Sequence, residues 1–377
     1  MRSARVFTVI CLVLSCGGEA KPGAGGVVSP LPPSRQGSGS GETVASASGS
    51  PKKVSQFDCG DFHSCARMED GTARCWGRDS EGQLGDGDGS DAEQIHPTLV
   101  SGLTGVADLA SGATFTCARM IDRTVRCWGS GKILGDGREV RKVAPTSVPG
   151  LSDAVAITAG GYVVCVRLAS GGARCWGLDG IQNGAPDSGV EQVVAGGAHA
   201  CARMKDGTAR CWGEGPWGNG PFSHPQMPPI QSIATGDSFV CATLRDGSTQ
   251  CWGRNDQGEF GANPDEDNHS VPVVVRGLTD ATTLESAESH SCALRKDASV
   301  HCWGSNTEGE LGRGTRSTAE LAAPLSGLTR VLQVSLGSDY GCAKTDDGVL
   351  HCWGKNRNGQ LGDGTKERRL TPTRVAW

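Results

Sequence analysis

Fourteen of the seventeen cysteines fall in seven pairs, which could form disulfides or hold a metal. Nine residues separate the members of each pair, and Trp-Gly follows the second cysteine every time, as in "CARMEDGTARCWG" (65–77). Zinc sites use close pairs such as Cys-x2-Cys, and the chain has none. The pattern favours disulfides over zinc, with the pairs Cys65–Cys75, Cys117–Cys127, Cys165–Cys175, Cys201–Cys211, Cys241–Cys251, Cys292–Cys302 and Cys342–Cys352.

Each pair flanks a central Asp-Gly or a close relative, which is typical of a β-hairpin turn. A three-residue loop, 69–71 in the first copy, sets Cys65 opposite Cys75 on one face, whereas a two-residue turn would put them on opposite faces. The longer loop needs a left-handed residue at its third position, where glycine is favoured. Arg123 and Ala298 occupy that position in two copies, and we expect each to cost about 1 kcal/mol. Facing cysteines on antiparallel strands have Cα atoms about 4.5–5.5 Å apart, within disulfide reach.

The hairpin phrase recurs at intervals of 36 to 52 residues, a period typical of solenoids and propellers. A β-rich segment precedes each hairpin, and a turn-rich loop and a segment such as "HPTLVSGL" (96–103) follow it. That gives about four short strands a repeat, the content of a propeller blade. The last copy ends where another would continue into a segment like "VSQFDCG" (54–60), as a closed ring requires. We predict an all-β, seven-bladed β-propeller over 54–377, with about four short antiparallel strands and one hairpin disulfide per blade.

The N-terminus has the features of an export signal. Arg2 and Arg5 precede an apolar run that is too short to span a bilayer. "VLSC", which ends at Cys16, is similar to the lipobox of bacterial lipoproteins. That resemblance implies removal of a signal peptide (1–15) and lipidation of Cys16; ordinary secretion with cleavage nearby is the alternative. Either route leads to a compartment that permits disulfides. Residues 16–53 are rich in Gly, Ser and Pro, which predicts a flexible tether.

The repeats resemble those of the regulator of chromosome condensation family, whose members form seven-bladed β-propellers. The matching residues are the "AGGxHxCAL…DGxxxCWG" core and the loop phrase in "RDSEGQLGDG" (78–87) and "KNRNGQLGDGT" (355–365). The resemblance covers about 54–377 and implies fold more than function, because the shared residues are framework. The paired cysteines depart from the family's usual aliphatic and aromatic residues, as expected for an exported version.

The family includes a nuclear exchange factor for a small GTPase. We do not expect that activity in an exported chain that carries no exchange motif. Related exported bacterial propellers resemble binding or inhibitory scaffolds, and the fold alone does not choose among partners.

The composition and motifs argue against several function classes. A net charge of −5 predicts no general nucleic-acid binding. The chain contains no Gly-x-Ser-x-Gly, no His-Glu-x-x-His and no P-loop lysine motif. "GEGPWG" (213–218) fits the dinucleotide-binding expression but opens no helix of a βαβ unit. We predict no cofactor, no metal and no catalytic residue.

Several residues invite a metal or redox role and are interpreted as framework. His63, His199 and His290 share one repeat position, where other copies carry aromatic or aliphatic residues. The acidic loops 85–94 and 262–270 could attract calcium, but the first departs from the EF-hand template, so solvated loops are the preferred interpretation. Cys59 occupies a position filled in other copies by Ser111, Ala159, Ala195, Thr235 and Ser286, which predicts a buried free thiol.

Blades three and four break the repeat. Their loops, "LDGIQNGAPDSG" (178–189) and "EGPWGNGPFSHPQMPPI" (214–230), have lost Gly-Gln-Leu-Gly. The second loop places Trp217, Phe222 and Met227 among Gly and Pro residues. Because aromatic and Met side chains on loops often anchor interfaces, we predict these three as binding residues. The alternative is repeat decay, with the aromatic side chains packed onto the blade.

These observations together predict a non-catalytic scaffold that binds an extracellular or envelope protein through the loops of one propeller face. We expect a monomer, held at the cell envelope or outer membrane by the lipid on Cys16, or alternatively secreted. Two other functions stay open: an envelope enzyme, a lyase or hydrolase, with its site at the channel mouth, and a structural or adhesive envelope component.

Overall fold

The computed structural model describes residues 53–215, 218–219, 221–223, 227–261 and 263–377. The predicted signal peptide, Cys16, the tether as far as residue 52, and Trp217 lie outside the described residues. Within the described ranges, no helix has the length and hydropathy needed to span a membrane.

Seven antiparallel sheets follow one another along the chain, each built from consecutive strands. Their first strands line a common channel, so the sheets are the blades of a seven-bladed propeller. Blade one contains β1 (Val54–Cys59), β2 (His63–Met68), β3 (Ala73–Gly77) and β4 (Gln94–Leu99). Blade two contains β5 (Val106–Ser111), β6 (Phe115–Met120), β7 (Val125–Gly131) and β8 (Val140–Ser147).

Blades three and four lack a full fourth strand among the described residues. Blade three contains β9 (Ala154–Gly160), β10 (Val163–Leu168) and β11 (Ala173–Trp176). Blade four contains β12 (Val190–Ala195), β13 (His199–Met204) and β14 (Ala209–Gly215), with two-residue strands β15 (Gly218–Asn219) and β16 (Phe222–Ser223) at its outer edge. The loops of these two blades lack the Gly-Gln-Leu-Gly phrase.

Blades five to seven return to four strands. Blade five contains β17 (Ile230–Thr235), β18 (Phe239–Leu244), β19 (Thr249–Asn255) and β20 (Asp265–Val274). Blade six contains β21 (Ala281–Ser286), β22 (His290–Arg295), β23 (Val300–Asn306) and β24 (Ser317–Pro324). Blade seven contains β25 (Val331–Gly337), β26 (Tyr340–Thr345), β27 (Leu350–Gly354) and β28 (Arg369–Arg374).

The predicted hairpin register is confirmed in all seven blades. Cys65 faces Cys75 across β2 and β3, and seven disulfides close the hairpins with Cα–Cα distances of 4.0–4.1 Å. These distances are shorter than the expected 4.5–5.5 Å, because a bonded pair is drawn together at a non-hydrogen-bonded position of the ladder. Arg123 and Ala298 adopt φ values of 69° and 62°, so both hold the strained left-handed position predicted for them.

The core lies between blades, where the tryptophan of each Cys-Trp-Gly phrase is buried. Trp128 of blade two, for example, belongs to a cluster with Leu84 and the Cys65–Cys75 pair of blade one. Gly85 of the preceding loop has φ 68°, and a Cβ there would lie 2.6 Å from the Trp128 indole. The Gly-Gln-Leu-Gly phrase therefore forms the surface against which the tryptophan of the next blade packs.

The ring closes between blades seven and one without a shared strand. The Trp76 indole N–H donates to the Gln360 carbonyl at 2.9 Å, and the Tyr340 hydroxyl donates to the His63 carbonyl at 2.6 Å. The Trp76 bond repeats the one that Trp128 makes to the Gln83 carbonyl between blades two and one, so the first and last repeats join as internal ones do.

Candidate functional site

One face of the ring, which we name the loop face, lies where the first and third strands of every blade end. It carries the turns between first and second strands and the loops that follow third strands. The two kinds of connection touch: the Arg78 N–H donates to the Phe62 carbonyl at 3.0 Å, and the Arg254 N–H donates to the Ser238 carbonyl at 2.9 Å. The disulfide hairpin turns lie at the other ends of the strands, on what we name the hairpin face. Because loops on a rigid scaffold commonly carry recognition, the loop face is the candidate surface.

The central channel is acidic and narrow, with a volume of about 280 Å³. Burial raises the pKa of Asp58 to about 7, although the Ser111 N–H donates to this carboxyl at 2.6 Å and opposes the shift. Burial and then repulsion from Asp58 raise the pKa of Glu285 to about 8. Since a water molecule occupies roughly 30 Å³ in the liquid, the channel has room for about nine waters and is too small for a protein segment. A protein partner could therefore contact only the mouth of the channel.

Four carboxylates from blades one, five, six and seven surround that mouth on the loop face: Asp61, Asp237, Glu288 and Asp339. Burial raises the pKa of Asp61 to about 7, and repulsion from Asp237, Glu288 and Asp339 adds to the shift. Burial, then Asp339 and Asp237, also raise the pKa of Glu288. The four groups thus form one electrostatic unit although they are up to 278 positions apart in sequence (339 − 61).

A groove runs from this mouth across blades seven to three. It consists of cavities of about 580, 560 and 390 Å³ that follow one another through shared lining residues, Ala198 and Glu214 between the first two and Asp237, Ser238 and Arg254 between the last two. Seven carboxylates and one arginine line it. We name it the acidic groove and define it by Asp179, Glu214, Asp237, Arg254, Asp256, Glu259, Glu288 and Asp339.

One recurrent hydrogen bond is missing near the blade-three end of the groove. In five blades the tryptophan indole N–H donates to a backbone carbonyl of the preceding blade's loop, two residues before that loop's glycine; the acceptors are Gln83, Ile133, Glu259, Glu310 and Gln360. Gly184 is the corresponding glycine beside Trp212. A Cβ added to Gly184 would lie 3.3 Å from the Trp212 Cβ. The repeat therefore predicts the Gln182 carbonyl as the acceptor, yet the buried Trp212 N–H has none.

Gln182 makes different contacts, and its backbone carbonyl accepts the Ala185 N–H at 3.2 Å. Its side-chain oxygen accepts the Cys175 N–H at 2.6 Å, at the sheet edge where other blades pair this residue with the outer strand, as Cys75 pairs with Thr98. In blade one the equivalent Gln83 instead accepts the N–H of Glu81 two residues earlier, at 2.8 Å. The displaced loop, with Ile181 and Asn183, lines the 580 Å³ cavity.

The structure describes two of the three predicted binding residues. Phe222 and Met227 are half-buried and pack against a core cluster that contains Trp252 and Ile230. This packing agrees with the alternative of aromatic side chains tucked onto the blade. Trp217 lies outside the described residues, and a binding role for the three stays a prediction.

The shared-position histidines are buried at the starts of β2, β13 and β22. His63 Nε2 lies 2.7 Å from the Thr116 hydroxyl of the next blade, and burial lowers the pKa of His63 to about 3. Each histidine sits in a different blade, and among the described residues the three do not form a group with ring nitrogens within 4.8 Å of one another. Cys59 is a free, buried thiol as predicted; burial raises its pKa to about 12, which makes it a poor nucleophile at neutral pH.

The acidic loop of blade one holds a group of three carboxylates. Asp79, Asp86 and Asp88 bring oxygens within 4.8 Å of one another, and Asp86 and Asp88 also accept backbone N–H groups within the loop, from Asp88 and Ser90. Such a group is common in solvated loops, and the calcium interpretation stays untested.

Sequence reasoning missed the acidic groove. Asp61, Asp237 and Glu288 occupy one repeat position, two residues beyond the end of the inner strand, so an alignment of the seven copies could have shown an acidic position on blades one, five and six. That signal does not reveal that the three side chains converge. A carboxylate-lined groove accepts hydrogen bonds and pairs with cations, and this is the chemistry the site offers.

Comparisons with known proteins agree with the fold. A family model described as the regulator of chromosome condensation (RCC1) repeat matches residues 54–83, 190–216, 230–259, 288–310 and 331–360. A second model with the same description matches residues 70–119 and 347–377. Together the matches cover about half of the chain and fall in blades one, two, four, five, six and seven.

Solved structures and one curated protein extend the comparison. Prp20p from Saccharomyces cerevisiae, described with binding properties to Gsp1p and histones, is 18% identical with a TM-score of 0.70, covering 86% of this chain and 87% of that chain. The CRINKLY ectodomain of the Arabidopsis thaliana receptor kinase ACR4 is 19% identical with a TM-score of 0.54, covering 81% and 96%. The ultraviolet-B receptor UVR8 of Arabidopsis thaliana is 34% identical over 82 residues, which are 21% of this chain and only 18% of the receptor. At these identities the structural similarities support the fold alone.

Proposed function

Because the chain belongs to the regulator of chromosome condensation (RCC1) repeat family, we propose that it is a non-catalytic scaffold that binds a protein partner through its loop face. The observation that carries the proposal is the acidic groove, which crosses several blades on that face. Its extent suits an elongated protein surface better than a small substrate, since small-molecule pockets are compact and largely apolar.

The compartment follows from the disulfides. Seven disulfides in one chain indicate an oxidising environment. We propose that the protein works as a monomer outside the cytosol, attached through a lipid on Cys16, and that its partner is an extracellular or envelope protein. Binding of Gsp1p and histones belongs to Prp20p, and we do not transfer those partners to this chain.

Site-specific photo-crosslinking in the native host tests the proposal. A photoreactive residue at Asn183, on the loop face, should give an adduct with one protein, while the same residue at Glu69, on the hairpin face, should give none. Adducts from Glu69 alone, or from neither position, would contradict recognition through the loop face. A lipid-modified Cys16 in the intact mass of the same material would support the envelope location, and an uncleaved chain would refute it.

A second candidate is an envelope enzyme of the lyase or hydrolase class. The observation that favours it is the raised pKa of Asp61, about 7, since carboxyls with such values serve in acid–base catalysis. Turnover of a polysaccharide or ester substrate that Asp61→Asn abolishes would establish this function in place of the scaffold.

A further inference from the structure

Four blades build the loop after their third strand on the same side chain, which is an amide in three blades and a carboxylate in one. Three positions after the repeat tryptophan stand Asn255, Asn306 and Asn356 in blades five, six and seven, and Asp79 in blade one. In all four blades Oδ1 of this residue accepts the N–H of the residue five positions later, at 2.9–3.1 Å. The four loops can therefore be compared position by position.

In each asparagine blade the side-chain nitrogen of this residue donates to a carboxylate farther along the same blade. The pairs are Asn255–Asp265 and Asn306–Glu320, both at 2.7 Å, and Asn356–Asp363 at 3.1 Å. In blade seven, Arg369 also donates to the Asp363 carboxylate, at 2.7 Å. A neutral donor and a cation thus hold this loop carboxylate.

Blade one lacks both of these groups. By position after the repeat tryptophan, Asp86 corresponds to Asp363. Asp79 stands in place of the asparagine, and Gln94 takes the register position of Arg369 opposite the third strand. The exchange of Asn for Asp and of Arg for Gln makes the loop more negative by two charges and removes the donor that faces the carboxylate.

The Asp79 side chain is buried and faces two further carboxylates. It is 1% exposed, and one of its oxygens lies within 4.8 Å of an oxygen of Asp86 and of Asp88. Among the described residues, Asp79 accepts a hydrogen bond only at Oδ1, from the Leu84 N–H, and pairs with no cation. The charge of Arg141 acts on Asp79 more weakly than those of Asp86 and Asp88. A buried carboxylate is therefore aimed at two others, and its Oδ2 has no donor.

The spacing of these oxygens suits calcium. Ca²⁺ binds about six to eight oxygens at roughly 2.3–2.6 Å, so two oxygens on one ion lie at most about 5 Å apart, as those of Asp79, Asp86 and Asp88 do. Mg²⁺ binds oxygens at roughly 2.0–2.1 Å and demands near-ideal octahedral geometry, which three loop carboxylates fit less well.

We infer that blade one binds a calcium ion through Asp79, Asp86 and Asp88. The ion replaces the amide and the guanidinium that hold the loop of blade seven, and it fixes the connection between β3 and β4. Because Asp86 and Asp88 are not buried, water molecules supply the remaining ligands, and we expect a Kd of about 10⁻⁴–10⁻³ M, as in extracellular calcium modules. The inference does not depend on the partner in the proposed function.

Isothermal titration calorimetry of the full chain, freed of metal by a chelator, tests this inference. Wild type should bind Ca²⁺ in this range and Mg²⁺ at least tenfold more weakly. Asp79→Asn restores the amide of blades five to seven and keeps Oδ1 for the Leu84 N–H, so it should fold and bind Ca²⁺ at least tenfold more weakly. Glu69→Gln removes the same charge from the hairpin face and should change the calcium affinity less than twofold.

Thermal unfolding and a second variant extend the test. About 10 mM Ca²⁺ should raise the unfolding midpoint of wild type and leave that of Asp79→Asn unchanged, because only a protein that binds the ion is stabilised by it. In chelator, Asp79→Asn should unfold at a higher temperature than wild type, since its amide can donate to Asp86. Asp88→Thr copies Thr365 of blade seven at an exposed position, and it should weaken calcium binding at least tenfold.

Three results would overturn the inference. Wild-type calcium affinity in both Asp79→Asn and Asp88→Thr would place any bound ion elsewhere. Equal affinity of wild type for Mg²⁺ and Ca²⁺ would reduce the effect to a general attraction of cations. No calcium binding at about 10 mM would refute the site, and a wild-type midpoint that falls between pH 5 and pH 8 more than that of Asp79→Asn would then show that Asp79 takes up a proton instead.

Discussion

Asp58 should make the protein less stable as the pH rises from 4 to 8, and Asp58→Asn should remove that loss. Burial in the channel raises the pKa of Asp58 from 3.8 to about 7. A carboxyl whose folded pKa lies above its unfolded value takes up a proton on folding, so its contribution to stability is complete below pH 4 and is lost as the pH rises to about 7. The amide of asparagine does not titrate, yet it still accepts the Ser111 N–H.

The magnitude follows from the shift. A difference of about three pKa units corresponds to an upper limit of about 4 kcal/mol. Because Asp58 is not fully shielded from the channel water, we expect roughly half of this value, about 2 kcal/mol. The free energy of unfolding of Asp58→Asn relative to wild type should therefore rise by that amount between pH 4 and pH 8.

Urea unfolding under non-reducing conditions at pH 4, 6 and 8 measures this difference. Glu69→Gln, which removes a carboxyl from an exposed hairpin turn, serves as the control and should show no comparable rise. If Asp58→Asn differs from wild type by the same amount at all three pH values, the channel does not perturb this carboxyl, and our account of the acidic channel is wrong.

Three further predictions concern the framework. Trp303→Phe should destabilise the fold by about 1 kcal/mol more than Trp212→Phe in urea unfolding, because only Trp303 donates its indole N–H to a loop carbonyl; equal losses would show that the Trp212 donor is satisfied. Replacing both Cys117 and Cys127 with serine should lower the free energy of unfolding by roughly 2–3 kcal/mol, because the 11-residue loop is no longer closed in the unfolded chain. An unchanged urea midpoint would show that this disulfide does not stabilise the fold. Ala298→Gly should raise the melting temperature slightly by relieving a strained φ of 62°, worth up to about 1 kcal/mol; a lower melting temperature would contradict that strain.

The repeat framework was predictable because seven copies of one phrase each report the same local physics. A central Asp-Gly and two facing cysteines fix the hairpin register within thirteen residues, and the structure confirms it in every blade. The strain at Arg123 and Ala298 followed from the same register. Such features depend on neighbours in sequence, and repetition separates them from chance.

The acidic groove depended on information that no single repeat contains. Glu214, Asp237 and Glu288 belong to three blades, and only the curvature of the closed ring brings them to one surface. The different contacts of Gln182 were equally hidden, because they occur in a blade that lacks its fourth strand. Each feature arises at a contact between blades whose sequences depart from the repeat. The period of the repeat carries no information about such contacts.

The local pairing of the disulfides has a consequence for how the chain matures. Every bridge joins cysteines that are ten positions apart, and loops of about ten residues close in roughly 10–100 ns. An oxidase acting on the chain as it emerges can complete one blade before the next appears, without later reshuffling. Cys59 is the exception, since it precedes Cys65 by six positions and emerges first. The hydroxyl and alkyl side chains that other blades carry at this position, including Leu336 in blade seven, cannot form disulfides, so blade one alone has a third thiol that could compete for its pair.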